Sequence, residues 1–351
     1  MKKLLIGMAA AWISCSAIAG DVQLNDGHPD RHTVVKGDTL WDISETFLKT
    51  PWMWPEVWHA NPQVENPHLI YPGDVIRLVY MDGKPRLVVD RGEASRTFKM
   101  SPQMRIEPVT EAIASIPLDK INNFLSKSRV VTLAELESAP HVVVGAEEHL
   151  ILGEGDTLYA RGDLSADAAT YGVYRKGQDF IDPATQEVLG LEALDIGSIK
   201  AKTIDFDARN SNGQETSVGT FSVIRAVEEI RAGDRLLLAE ERGIDSTFFP
   251  SAPEQDIDGQ VMSVEGGVSQ VGLRDVVTIN KGERDGLVIG NVLAIYKNGG
   301  IFDDRIAGDK IKLPDEKAGL LMIFRTYEKM SYGLVLEASR PLSVKDKVRN
   351  P

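Results

Sequence analysis

The sequence has few of the residues from which fixed catalytic or metal centres are usually built. One residue in 351 is cysteine, Cys15, so neither a disulfide framework nor a cysteine-rich zinc site can form within one chain. Histidine is also scarce: His59 and His68 have no third ligand at usable spacing, and outside the N-terminal region only His141 and His149 occur. Basic residues are outnumbered, 39 Lys and Arg against 52 Asp and Glu, which argues against gripping nucleic acid by counterion release. The acid-rich stretches Glu147-Glu148 and Glu240-Glu241 read as solvated surface rather than a glycosidase pair. No G-x-S-x-G elbow and no S-x-x-K pair is present. No run reaches the roughly 20 apolar residues of a spanning helix. Hydrophobic (42%) and charged (26%) contents are those of a globular chain, with length for roughly two to three modules.

The N-terminus has the layout of a secretory signal. Lys2 and Lys3 precede a short apolar stretch, Leu4 to Ile13, and Ala17-Ile18-Ala19 forms an A-x-A cleavage site. The expectation is a signal peptide at 1–19 and a mature chain starting at Gly20. Trp12 stands where a lipobox wants a small or aliphatic residue, so Cys15 is expected to be removed with the peptide. The mature chain is then soluble beyond the inner membrane.

Residues 31–79 read as β-α-α-β. His32 to Val35 alternates like a strand, and Lys36-Gly37-Asp38-Thr39 is a turn with Asp38 or Thr39 placed to cap a helix. Leu40, Ile43, Phe47 and Leu48 recur at helical spacing. Trp52 to Ala60 suggests a second short helix, with Pro55 acceptable only in its first turn. Tyr71-Pro72-Gly73-Asp74 turns into a closing strand, Val75 to Val79.

This segment resembles the LysM family. The resemblance is carried by Val34 to Ser44 (VVKGDTLWDIS), then Asn61-Pro62, then Ile70 to Asp74 (IYPGD). It implies binding of an N-acetylglucosamine-containing glycan, here peptidoglycan, in a shallow groove between two loops. Carried onto this chain, the groove has Gly37, Asp38, Thr39 and Leu40 on one side and Asn61, Ile70, Tyr71, Pro72 and Gly73 on the other. Loop backbone groups suit the acetamido amide, and an apolar or aromatic face suits its methyl and the sugar ring. The bland alternatives stand beside this: Leu40, Ile43 and Trp41 as core, Leu40 and Ile70 equally core or ligand, Asp38 as a helix cap. Trp58 reads as core, whereas Trp52 and Trp54 fit a groove or a packing surface equally. Acids outnumber bases in the module, so glycan binding should not be electrostatic.

Residues 80–140 read as an adaptor segment. Met81 to Pro85 is a turn, Arg96 to Ile106 includes a strand, Pro117 opens a short helix through Leu125, and Thr132 caps another over Leu133 to Ser138.

The remainder contains a weak internal repeat. Leu158 to Gly162 matches Thr278 to Gly282, Gly172 to Gly177 matches Val292 to Gly299 in kind, and Gly197-Ser198-Ile199 echoes Gly319-Leu320-Leu321. Arg231 to Leu236 matches Ser343 to Val348. The offset is about 120 early and about 112 late, which fits an extra loop at Asp207 to Glu215 in the first copy. Short Val/Ile/Leu strands between Gly-Asp and Lys-Gly turns predict two related β-rich domains, at 141–245 and 257–351. The fold class is therefore α+β: a small β-α-α-β module, an adaptor and two β-rich domains.

The second copy carries its own pattern, with Gly272 to Gly282, Val292 to Tyr296, Arg325 to Gly333 and the terminal Arg349-Asn350-Pro351. Together with the N-terminal module, it resembles the type IV pilus secretin-associated protein family. Its terminal half is also similar to the C-terminal domain of a flagellar outer-ring assembly protein. The resemblance implies a non-catalytic protein of the Gram-negative periplasm that anchors an outer-membrane secretin ring to the wall. No cofactor, metal, nucleic acid or stable membrane span is expected. The alternative is a general wall-binding envelope assembly factor, or an activator of a separate wall hydrolase.

Overall fold

The computed structural model describes residues 22–58, 70–90, 116, 121, 124, 128–166, 168–209, 211–238, 248–264 and 270–351. The expected signal segment, Asn61, His59 and His68 lie outside them, as do the strand expected within 96–106 and most of the helix expected at 117–125.

Local signals build the N-terminal module. β1 (Arg31–Thr33) leads to α1 (Leu40–Phe47). Thr39, not Asp38, caps that helix. Its Oγ1 accepts from the Asp42 N–H at 3.2 Å, and the Asp42 carboxylate accepts from the Thr39 N–H at 3.1 Å, which completes a capping box. A 3-10 turn, Pro51–Met53, runs into α2 (Trp54–Trp58), with Pro55 in the first turn where its missing N–H costs nothing. β2 (Val75–Met81) and β3 (Lys84–Asp90) form a hairpin over Asp82-Gly83, whose φ values of 51° and 75° suit a type I′ turn. The sheet order is β1-β2-β3, three strands where two were expected. Its third strand comes from the segment that read as adaptor.

The other end of that segment joins the next unit. β4 (Ser128–Val131) pairs with a later strand, and α3 (Leu133–Ser138) is capped by Thr132 Oγ1, which accepts from the Glu135 N–H at 3.1 Å. There follow β5 (His141–Gly145), β6 (Ile151–Leu152), β7 (Thr157–Gly162), β8 (Thr170–Ile181), β9 (Val188–Asp205), β10 (Ser217–Ala226), β11 (Ile230–Arg231) and β12 (Arg235–Leu238). Six of them close a ring in the order β5-β7-β10-β9-β8-β12, and β12 pairs back to β5. β4 lies beside the start of β9, and β6 pairs with β11.

The second unit has β13 (Asp258–Val264), β14 (Gln270–Val271), β15 (Val276–Ile279), β16 (Val292–Lys297), β17 (Ile301–Asp304), β18 (Asp309–Lys312), β19 (Glu316–Thr326), β20 (Ser331–Ala338), β21 (Leu342–Ser343) and β22 (Lys347–Arg349). Its closed barrel runs β13-β15-β20-β19-β16-β22. That is the pairing order of the first ring, strand for strand, and β14–β21 stands where β6–β11 does. The agreement extends to single bonds. Val142 exchanges backbone hydrogen bonds with Asp234 and Gly233, and Val261 does so with Asp346 and Lys345. Gly197 pairs with Ala226 as Gly319 pairs with Ala338. These correspondences set Leu158 against Val277 rather than Thr278. The sequence match was one residue out of register there, a slip that would exchange the two faces of the strand. The β9–β10 connection is longer than β19–β20 and carries the Arg209–Glu215 bridge, where the extra loop was expected.

The two units differ in what covers them. The first barrel's interior holds Val142, Leu158, Val173, Ile199 and Phe221, and Thr220 and Ser222 face outward from the middle of β10. The second barrel is buried on both sides. Val277, Ile295, Leu321 and Val335 fill its interior, while Val276, Leu320, Met322, Phe324, Tyr332 and Leu334 form an apolar outer face packed against other parts of the chain. Sequence shows this as unbroken hydrophobic runs in β19 and β20, where a strand with one wet face alternates. The outer face receives Trp41 and Trp52 of the N-terminal module, Ile121 and Phe124, and Phe180 and Leu189 from the first unit. The second barrel is thus the hub on which the other parts pack.

Candidate glycan-binding site

Two turns of one design form the candidate groove. In Val35-Lys36-Gly37-Asp38, the Asp38 Oδ2 accepts from the Val35 N–H at 3.0 Å, and the Asp38 N–H donates to the Val35 carbonyl at 3.2 Å. In Tyr71-Pro72-Gly73-Asp74 the corresponding distances are 3.1 and 3.0 Å. Gly37 and Gly73 have φ of 102° and 101°, a left-handed conformation that favours glycine. A Cβ at either position would meet no atom within 4 Å, so both face open space. Val34 ties the turns together: its N–H donates to the Asp74 carbonyl at 2.9 Å, and its carbonyl accepts from the Gly73 N–H at 2.8 Å.

The candidate residues divide by what their side chains do. Gly37, Tyr71, Pro72 and Gly73 are exposed or half-buried at the turns. Asp38 is engaged as a clasp, with His32 Nε2 lying 2.9 Å from the same Oδ2 that receives the Val35 N–H. Thr39 is buried and spent on the cap. Leu40 and Ile70 lie in the module's core beside Ile43, Phe47 and Trp58, so their side chains form the floor under the turns and offer no face to a sugar. Asn61 lies outside the described residues. The candidate residues therefore offer backbone groups, a tyrosine and a proline, with the Asp38 carboxylate engaged within its own turn and Lys36 exposed beside Gly37, a set that suits an acetamido sugar.

Residues 32–79 match the LysM domain family. The LysM module supports binding of peptidoglycan or a related carbohydrate, and it is consistent with an extracytoplasmic location. No curated protein matches the chain in sequence.

The tryptophans around the LysM module do not extend the groove. Trp54 and Trp58 are in its core, and the Trp54 ring lies 6.0 Å from that of Phe249. Trp41 was expected in the same core, yet it packs with Trp52 on the outer face of the second barrel. Beside that contact, Asp42, Glu45, Arg274 and Glu337 line a cleft of about 180 Å³. Burial, with Glu337 and Asp42 nearby, raises the Glu45 pKa above the ordinary glutamate range. Sequence alone did not reveal this docking, since a tryptophan one position after a core leucine carries no sign of its partner. Among the described residues, no group of three or more His, Cys, Asp or Glu is arranged to hold a metal, and no helix is long and apolar enough to cross a membrane.

Proposed function

We propose that this is a non-catalytic, periplasmic, peptidoglycan-binding protein of the Gram-negative envelope that anchors an outer-membrane secretin ring to the wall. The observation that carries the reading is the seating of the LysM module. Its helical side is held against a large β scaffold through Trp41 and Trp52, while Gly37 and Gly73 face open space. A glycan held by the turns would be coupled mechanically to the barrels. One shallow groove binds weakly, and many copies around a ring would gain avidity without new contacts.

Two measurements test the proposal. Full-length protein should sediment with purified peptidoglycan almost equally at low and high salt, because the module has no basic excess to screen. Gly73→Ala, which puts a methyl in the groove and strains a left-handed residue by about 1–2 kcal/mol, should weaken that sedimentation. Deleting the module would uncover the barrel's apolar face, so the same point variant serves in cells. It should release the ring complex from the wall while secretin still co-purifies with the protein. Recovery of a wall hydrolase in place of secretin would overturn the anchor reading in favour of an activator.

A further inference from the structure

The duplication makes one contact in the chain a template for a second. The β8–β9 hairpin of the first unit extends past its barrel as an arm, and Phe180 and Leu189 near its tip are buried against the second barrel. Asn280 Nδ2 donates to Asp182 at 3.1 Å, and Glu187 receives Arg284 at 3.1 Å and Lys329 at 2.7 Å.

The same arm recurs 122 positions later, in β17 and β18. Asp182 closes its turn by accepting from the Ala184 and Thr185 N–H groups, and Asp304 accepts from those of Ile306 and Ala307. Gln186 N–H donates to the Asp182 carbonyl at 2.9 Å, and Gly308 N–H donates to that of Asp304 at 2.8 Å, both residues having positive φ. Phe302 and Ile311 therefore stand 122 positions after Phe180 and Leu189; they face each other across the ribbon, whereas Phe180 faces Gly190 and Leu189 sits in a break of register beside it. Phe180 and Leu189 are 6% and 7% exposed, whereas Phe302 and Ile311 are 56% and 52% exposed. Among the described residues, no strand pairs with the outer edge of β17 or β18. A two-stranded ribbon with an exposed apolar pair is marginal without a cover.

We infer that the 301–312 arm is a docking element for another protein, one that presents the apolar outer face of a β-sheet bordered by Arg, Lys or Asn. The seated arm sets those terms: its apolar pair meets a sheet face and its acids meet Asn280, Arg284 and Lys329. Asp304 and Asp309 occupy the positions of Asp182 and Glu187. A second copy of this chain does not offer such a face. Its second barrel is already covered, and the first barrel has Ser198, Lys200, Lys202, Thr220 and Ser222 where the second has Leu320, Met322, Phe324, Tyr332 and Leu334. The inference is independent of whether the partner is a secretin.

The test is photocrosslinking of the full-length protein in its own envelope, with p-benzoylphenylalanine at 302 or 311 and, as an exposed control, at 206. Adducts from 302 and 311 should map to one protein, on a strand whose apolar residues run without alternation, as they do in β19 and β20. Phe302→Asp with Ile311→Asp should cut co-purification of that protein by about tenfold or more, since each side chain loses a buried apolar contact. Sedimentation with peptidoglycan and the thermal unfolding midpoint should be unchanged, because both positions are exposed in the free chain. The inference is overturned if adducts form only with lipid or with a second copy, if they do not exceed those from position 206, or if the double variant leaves co-purification intact.

Discussion

Leu40 and Trp41 are neighbours in the chain and belong to different cores. Leu40 points into the LysM module, among Ile43, Phe47 and Ile70, while Trp41 points out of it onto the second barrel with Phe124, Leu334 and Leu336. One turn of α1 thus both folds the module and fastens it.

Substitution at the two positions should separate these roles. Leu40→Ala leaves a cavity in a small core and should destabilise the module by about 2–5 kcal/mol. Hydrogen exchange should then rise throughout residues 31–58 and 70–90. Trp41→Ala should leave protection within the module intact and raise exchange at Leu273–Arg274 and Leu336–Ala338, which line the cleft beside the contact. Uniform loss of protection in both variants would contradict the division.

The repeated four-residue turn that ends in aspartate gives a paired test across the duplication. Asp234 and Asp346 are both buried and accept from Arg231 and Ser343 N–H groups at 2.8 Å. Removing either acceptor with alanine should cost about 1–3 kcal/mol, and Asp346→Asn, which keeps an acceptor, should cost less. The third turn position is Gly233 in one copy, with φ of 92°, and Lys345 in the other, with φ of 74°. Gly233→Ala should destabilise by about 1–2 kcal/mol. Lys345→Gly should be nearly neutral, because relief of left-handed strain offsets the added freedom of the unfolded chain. Thermal unfolding of the full chain measures all five.

Two acids at two internal contacts should respond to pH in opposite directions. Burial beside Glu337 and Asp42 raises the Glu45 pKa, with Arg274 the facing cation. A folded pKa above the unfolded value of 4.5 means that the folded protein holds the proton more tightly. Stability therefore falls as pH rises from about 4.5 through the raised value. Glu45→Gln should remove that fall and tighten the docked module at neutral pH. Arg284 and Lys329 hold the Glu187 carboxylate down to about 2. Its contribution is complete above 4.5 and lost as pH falls towards about 2. Glu187→Gln should weaken the seated arm at neutral pH and flatten the acid limb. Unfolding midpoints measured from pH 2 to 8 for both variants check the two signs.

The sequence by itself determined the local parts. A helix cap at Asp38 or Thr39, the paired turns at Gly37 and Gly73, Thr132 as a cap and the extra loop before β10 were legible, because each rests on residues close together in the chain; the choice of Thr39 came from the structure. So was the periodicity that predicts two β-rich domains, although a match on residue kind alone left β7 and β15 one residue out of register. The tertiary structure alone decided what each apolar surface faces. Composition does not distinguish a tryptophan that fills its own module from one that docks on another, nor a core leucine from one beneath a sugar. Leu40 and Ile70 became floor and Trp41 became a fastener through packing between distant segments. The same holds for the two arms. Phe180 and Phe302 hold the same place before the turn of each arm, yet one is buried and the other exposed, because only the first has a barrel within reach.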